Sequence, residues 1–144
     1  MSISFGVEIP FVDLLGFTLE KFEGGESELH FPSKHEHTNS YDVTHGGACM
    51  TLLDVTMATA ARSVQPDLGV VTIEMKTSFM RPAKGSLVGK GKLLHRTASM
   101  AFTEATIYDE QGNACTHATG TFKYLKRRAA DEQSGQALQP ISTD

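Results

Sequence analysis

Between Gly46 and Val64 the only charged residues are Asp54 and Arg62. The stretch is rich in Ala, Met and Leu and stops just before Pro66. This composition predicts a helix from about Gly47 to Val64. The helix is apolar nearly all round, so it must be buried and not half exposed. In a chain of 144 residues, enough for one domain and too few for two good cores, the rest must wrap that helix.

The flanking segments read as strands. Pro10 to Leu15, ending at Gly16, predicts a short helix with Pro at its first position. Phe17 to Phe22 and Glu26 to Phe31 predict two strands joined at Gly24-Gly25. Pro32 to Thr44 reads as an irregular loop. After Gly69 the period drops to two, with Val71, Ile73, Met75 and Phe79 on one face. Thr72, Glu74, Lys76 and Ser78 fall on the other, which predicts a half-buried strand ending at Pro82. Leu87 to His95 alternates with Lys90 and Lys92 outward. Met100 to Tyr108 and Ala114 to Leu125 are two further strands around a turn at Asp109 to Asn113. The expected architecture is α+β, a curved antiparallel sheet around one long helix over residues 1–125. A polar tail, 126–144, is expected to be loosely held. A sheet covers only one side of such a helix, which argues for a dimer.

Composition removes several function classes. The net charge of −4 disfavours a nucleic-acid partner. No apolar run is long enough for a membrane span, and the N-terminus lacks the pattern of a signal peptide. Two cysteines, Cys49 and Cys115, make no disulfide framework, which suits a cytoplasmic setting. Gly-Xaa-Ser-Xaa-Gly and glycine-rich phosphate loops are absent.

The run Asn39-Ser40-Tyr41-Asp42-Val43-Thr44-His45-Gly46-Gly47, with Asp54 beyond it, resembles the hotdog-fold acyl-CoA thioesterases. The likeness is greatest to their phenylacetic-acid-degradation subgroup, within the 4-hydroxybenzoyl-CoA thioesterase superfamily. Thr72, in Gly-Val-Val-Thr-Ile-Glu-Met, and Phe79-Met80-Arg81-Pro82-Ala83-Lys84-Gly85 match further places. The resemblance spans about Phe11 to Leu125. It implies a hotdog dimer, often paired into a tetramer, that hydrolyses acyl-CoA without a metal or other cofactor. By resemblance the oxyanion contact falls on Gly46 and the catalytic carboxylate on Asp54. Asn39 and His45 fall near the thioester, and Thr72 on a hydroxyl that holds water. Thr72 stands where the family more often has serine, so an extra methyl crowds the place.

The residues support that chemistry independently. Gly46 and Gly47 open a helix whose first N–H groups lack intrahelical acceptors and carry the positive end of its dipole. Backbone amides there can serve as an oxyanion site. A carboxylate at Asp54, between Leu53 and Val55, is costly to bury without a partner or a task. It can act as general base for water or as a nucleophile forming an anhydride. Gly46 and Asp54 are about 12 Å apart along a helix at about 1.5 Å per residue. One thioester carbon cannot touch both within one chain. Two antiparallel helices across a two-fold axis would join them. His45 can orient substrate, act as an acid, or simply cap the helix. Asn39 can bond His45 or hold its own turn.

Arg81 and Lys84 are the first candidates for the Coenzyme A phosphates, then Arg62 and Lys126-Arg127-Arg128. Gly47, Met50 and Phe79 complete the expected substrate contacts, and a wall of Met50, Leu53, Met57 and Phe79 would admit aryl or medium acyl groups. His35-Glu36-His37 has metal-like spacing but no third ligand, so no metal is expected. Cys49 reads as a packing residue. The rival readings are a hotdog enoyl-CoA hydratase or dehydratase and a non-catalytic acyl-CoA-binding or regulatory module.

Overall fold

A computed structural model describes residues 2–127 and 138–140. Helix α1 is Pro10–Leu15, with Pro10 in its first turn and Gly16 as a left-handed C-cap at φ 83°. Strands β1 (Thr18–Glu23) and β2 (Glu26–Pro32) turn at Gly24-Gly25. A 3₁₀ turn at His35–His37 leads through a loop to helix α2, Gly46–Arg62. Strands β3 (Gly69–Phe79), β4 (Ser86–Arg96), β5 (Met100–Tyr108) and β6 (Ala114–Arg127) follow. A short β7, Leu138–Pro140, pairs with the end of β6.

The sheet order is β1-β2-β4-β5-β6-β3, antiparallel throughout. The expected α+β architecture, one long helix wrapped by an antiparallel sheet, is the one observed. Strand β6 runs two residues past Leu125. The tail from 128 to 137 and from 141 onward lies outside the described residues.

Helix α2 buries Cys49, Leu52, Leu53, Thr56, Met57, Ala60 and Ala61 against the concave side of the sheet. Full burial of a Leu or Met there contributes about 1.5–3 kcal/mol. The close approach of helix and sheet depends on glycine. A Cβ at Gly91 would lie 2.6 Å from Ser27 Oγ and 2.7 Å from the Thr56 carbonyl. One at Gly89 would lie 2.7 Å from Thr56 Oγ1. Polar groups in this contact are matched: Ser27 Oγ donates to the Thr56 carbonyl at 2.6 Å, and Tyr124 donates to the Ala61 carbonyl at 2.7 Å. The opposite side of α2, carrying Gly47, Met50, Thr51, Asp54 and Ala58, is only partly covered. The expectation of a helix covered on one side holds for the single chain.

Strand β3 corrects the sequence reading. Its alternation breaks at Ile73, where a bulge separates the pair Thr72–Phe122 from Glu74–Thr121. Directly paired residues share a sheet face. Thr72 therefore lies with buried Phe122 on the helix side, and Met75 and Phe79 follow on that side beyond the bulge. Val71 pairs with Lys123 and lies on the outer face with Glu74, Lys76 and Ser78. Strict alternation had placed Val71 inside and Thr72 outside. A bulge inserts one residue and shifts the phase, which a period-two pattern cannot anticipate.

Candidate active site

His45 is the N-cap of α2, and its Nδ1 accepts the Gly47 N–H at 2.8 Å. A neutral His45 therefore carries its proton on Nε2. The capping alternative describes this histidine. The Gly47 N–H is occupied by this cap, and Gly47 lines a small cleft with His45, Thr51 and Phe11, apart from the cavity at Gly46. The Gly46 N–H, first in the helix, has no acceptor among the described residues. Gly46 sits directly under Phe79, whose Cε1 would be 3.3 Å from an added Cβ.

Asn39 holds its own loop. Its Oδ1 accepts from the Tyr41 N–H at 2.9 Å and the Val43 N–H at 3.4 Å. It reaches the loop backbone and not the His45 ring. The loop bends sharply at Asp42, the one non-glycine with a left-handed backbone among the described residues, at φ 61°. The His45 backbone N–H donates to the His37 carbonyl at 2.8 Å, which ties the helix entry to the 3₁₀ turn.

Two cavities hold the candidate groups. The first, about 710 Å3, is lined by Asn39, Gly46, Phe79, Arg81 and Lys84, together with Tyr41. The exposed Arg81 and Lys84 give its rim positive charge. The second, about 500 Å3, contains Asp54 and Thr72 in a wall that mixes Val7, Ile9, Val70 and Phe122 with Glu8, Arg62 and Arg127. Thr72 donates to Asp54 Oδ1 at 2.6 Å. Burial pushes the Asp54 carboxyl above its ordinary range, and the Thr72 hydrogen bond partly opposes that rise. Within one chain, Gly46 and Asp54 face different cavities.

Several expected contacts fall elsewhere. Leu53 and Met57 are wholly buried against the sheet and line neither cavity. Met50 is 38% exposed on the uncovered side of α2, outside both cavities. Arg62 is no phosphate ligand. It is buried, its Nη1 donates to the Phe5 carbonyl at 3.0 Å, and its Nε donates to the Leu68 carbonyl at 3.3 Å. Cys49 is buried and its thiol is pushed up to about 11, so it is a packing residue. His37 is spent on the Lys34 N–H and the Phe31 ring. Among the described residues no cluster of three potential metal ligands exists. The residues that sequence reasoning missed are Val7 and Ile9, which line the Asp54 cavity from far along the chain. No local signal marks them.

An antiparallel sheet curved around one central helix, with a carboxylate and a free helix-entry amide on its uncovered side, defines a hotdog protein. Residues 41–116 match the model of the thioesterase superfamily. A Saccharolobus solfataricus protein with a provisional esterase name is 31% identical over 119 residues, covering 82% of this chain and 83% of that protein. A conserved protein of Pseudomonas aeruginosa superposes with a TM-score of 0.79 at 27% identity, covering 83% of this chain and 97% of that one. The PaaI protein of the E. coli phenylacetic acid degradation operon shares the fold, with a TM-score of 0.76 at 19% identity over 81% of this chain and 84% of its own. The chain belongs to the thioesterase superfamily and is a thioester hydrolase. Among the described residues no helix is long and apolar enough to cross a membrane.

Proposed function

We propose that this enzyme hydrolyses acyl-CoA thioesters at a site shared between two copies of the chain. The observation that carries the reading is the separation of its two halves. Asp54, hydrogen-bonded to Thr72, and the unpaired Gly46 N–H occupy different cavities on the uncovered side of one helix. A two-fold pairing of that side brings Asp54 of one copy beside Gly46 of the other. The long outer strand β3 borders the same side and presents exposed Ile73 and Phe79.

In this mechanism the thioester oxygen lies against the Gly46 N–H, where the helix dipole stabilises the developing negative charge. Asp54 takes a proton from water as the water attacks the carbonyl carbon. The tetrahedral intermediate collapses and expels the thiolate, which takes the proton back from Asp54, and the carboxylic acid and the thiol are released. His45 holds the helix entry, and Asn39 shapes the loop beside it. A Coenzyme A thiolate is a good leaving group, so no acid on His45 is required. Arg81 and Lys84 meet the nucleotide phosphates, and Phe79 covers the oxyanion position. The apolar part of the Asp54 cavity, from Val7 and Ile9 to Val70 and Phe122, suits a medium-chain acyl group.

A subunit-mixing experiment tests the shared site. Asp54→Asn and a Gly46 variant that blocks the helix entry are each purified inactive and then mixed under exchange conditions. A mixed dimer contains one site with both lesions and one with neither, so thiol release from acyl-CoA returns. Failure to recover activity despite subunit exchange overturns the shared site. Thiol release distinguishes hydrolysis from binding alone, and enoyl absorbance reports a hydratase.

A further inference from the structure

Arg62 and the N-terminal segment form a unit that the reaction above does not use. Arg62 is 8% exposed. Its donors go to two backbone carbonyls, Phe5 and Leu68, and it lies 5.8 Å from the Phe22 ring centroid. A buried cation is expensive unless its hydrogen bonds are met, so this one is fixed in place. The segment it holds turns at Gly6, with φ 79°, and is anchored upstream by the Ile3 N–H donating to the Leu19 carbonyl at 2.6 Å. Downstream it enters α1 at Pro10. Between these anchors, Val7 and Ile9 line the Asp54 cavity.

The same cavity follows one stripe of α2, from Asp54 through Val55, Ala58 and Thr59 to Arg62. At about 1.5 Å per residue that stripe is about 12 Å long. Val7, Ile9, Val55, Ala58, Val70 and Phe122 supply its apolar surface, and Glu8, Arg62 and Arg127 its charged groups. Asp54 stands at one end and the Arg62 stem closes the other.

We propose that Arg62 is a positioning residue that pins the N-terminal segment across this channel, so that Val7 and Ile9 set the length of aliphatic acyl chain the enzyme accepts. The proposal rests on the reading that Asp54 acts on an acyl thioester whose acyl group enters this cavity. The channel runs along the helix, so it reads the length of a straight chain. A side chain added at Val7 blocks it partway. Releasing the segment at Arg62 opens its wall.

The test is kcat/KM for acetyl-, butanoyl-, octanoyl- and dodecanoyl-CoA with the full chain. Val7→Phe lowers the octanoyl-to-acetyl ratio by about tenfold, the scale at which apolar pockets discriminate. Arg62→Met keeps an apolar stem but loses both carbonyl bonds, so it flattens the length profile. Arg62→Lys keeps the charge and one donor nitrogen in place of the two that bond Phe5 and Leu68, and restores part of the selectivity. A merely structural arginine would change every substrate by the same factor. An unaltered length profile in Val7→Phe and Arg62→Met, both folded by circular dichroism, overturns the proposal while Asp54→Asn remains inactive. If Asp54→Asn keeps wild-type turnover, or no acyl-CoA is hydrolysed, the underlying reading falls and the proposal with it.

Discussion

The Thr72 hydroxyl on β3 donates to Asp54 Oδ1 on α2 across 2.6 Å. Burial raises the Asp54 carboxyl, and this bond lowers it again. A general base works only when ionised. Thr72→Val removes the opposing bond and leaves burial unchecked. The acid limb of the kcat/KM profile then moves to higher pH, and a pH series of thiol release measures it. Glu8, Arg62 and Arg127 share the cavity and remain in both proteins, so the comparison isolates the hydroxyl. A limb that stays in place removes Thr72 from the proposed machinery.

Asp54→Asn preserves shape and removes basicity. Turnover of the best acyl-CoA is expected to fall by about two to four powers of ten, the range of general-base assistance. KM should change far less, because most binding comes from the rest of the substrate. Single-turnover reaction in ¹⁸O water separates the two roles of the carboxylate, since label within Asp54 marks an anhydride.

The same substitution carries a stability prediction. A carboxyl raised by burial binds its proton more tightly in the folded state than in the unfolded one. Stability from this group is present at acid pH and lost as pH rises from the ordinary carboxylate value through the raised one. Asp54→Asn escapes that loss. Its Tm should exceed that of the wild type at neutral pH, with the difference shrinking on acidification. Calorimetry at matched pH values checks the sign, and a lower Tm at neutral pH contradicts it.

Cys49 should be inert in the native protein. Its thiol is raised to about 11 by burial, so little thiolate exists near neutrality. A disulfide exchange reagent at pH 7.5 (about one unit below an ordinary free thiol) should label it only after denaturant is added.

Gly91→Ala tests the helix-to-sheet contact. The new Cβ would meet Ser27 Oγ at 2.6 Å and backbone at 2.7 Å, and backbone cannot rotate aside. Overpacking of this kind costs about 1–3 kcal/mol, measurable by urea unfolding. Gly112→Ala is a poor control despite its open surroundings, because φ 82° strains any side chain there.

Much of the fold was legible because its signals are local. The nearly uncharged run from Gly46 gave one buried helix, and Pro, Gly and alternation gave most strand limits to within a few residues. The loop geometry of Asn39 and the capping alternative for His45 were also within reach, since both depend on neighbours in sequence. Spacing along α2 already forbade one thioester from touching Gly46 and Asp54 in a single chain.

The rest depended on contacts between distant segments. The Ile73 bulge turned Thr72 toward Asp54, and only pairing with β6 reveals a bulge. Leu53 and Met57 are as apolar as any pocket residue, yet the sheet covers them completely. Arg62 looks like a surface cation in the sequence, and the Phe5 and Leu68 carbonyls make it a buried anchor. Periodicity reports which face of an element is apolar. What that face meets is decided by chain closure over tens of residues, so the site's partners and walls belong to the tertiary structure alone.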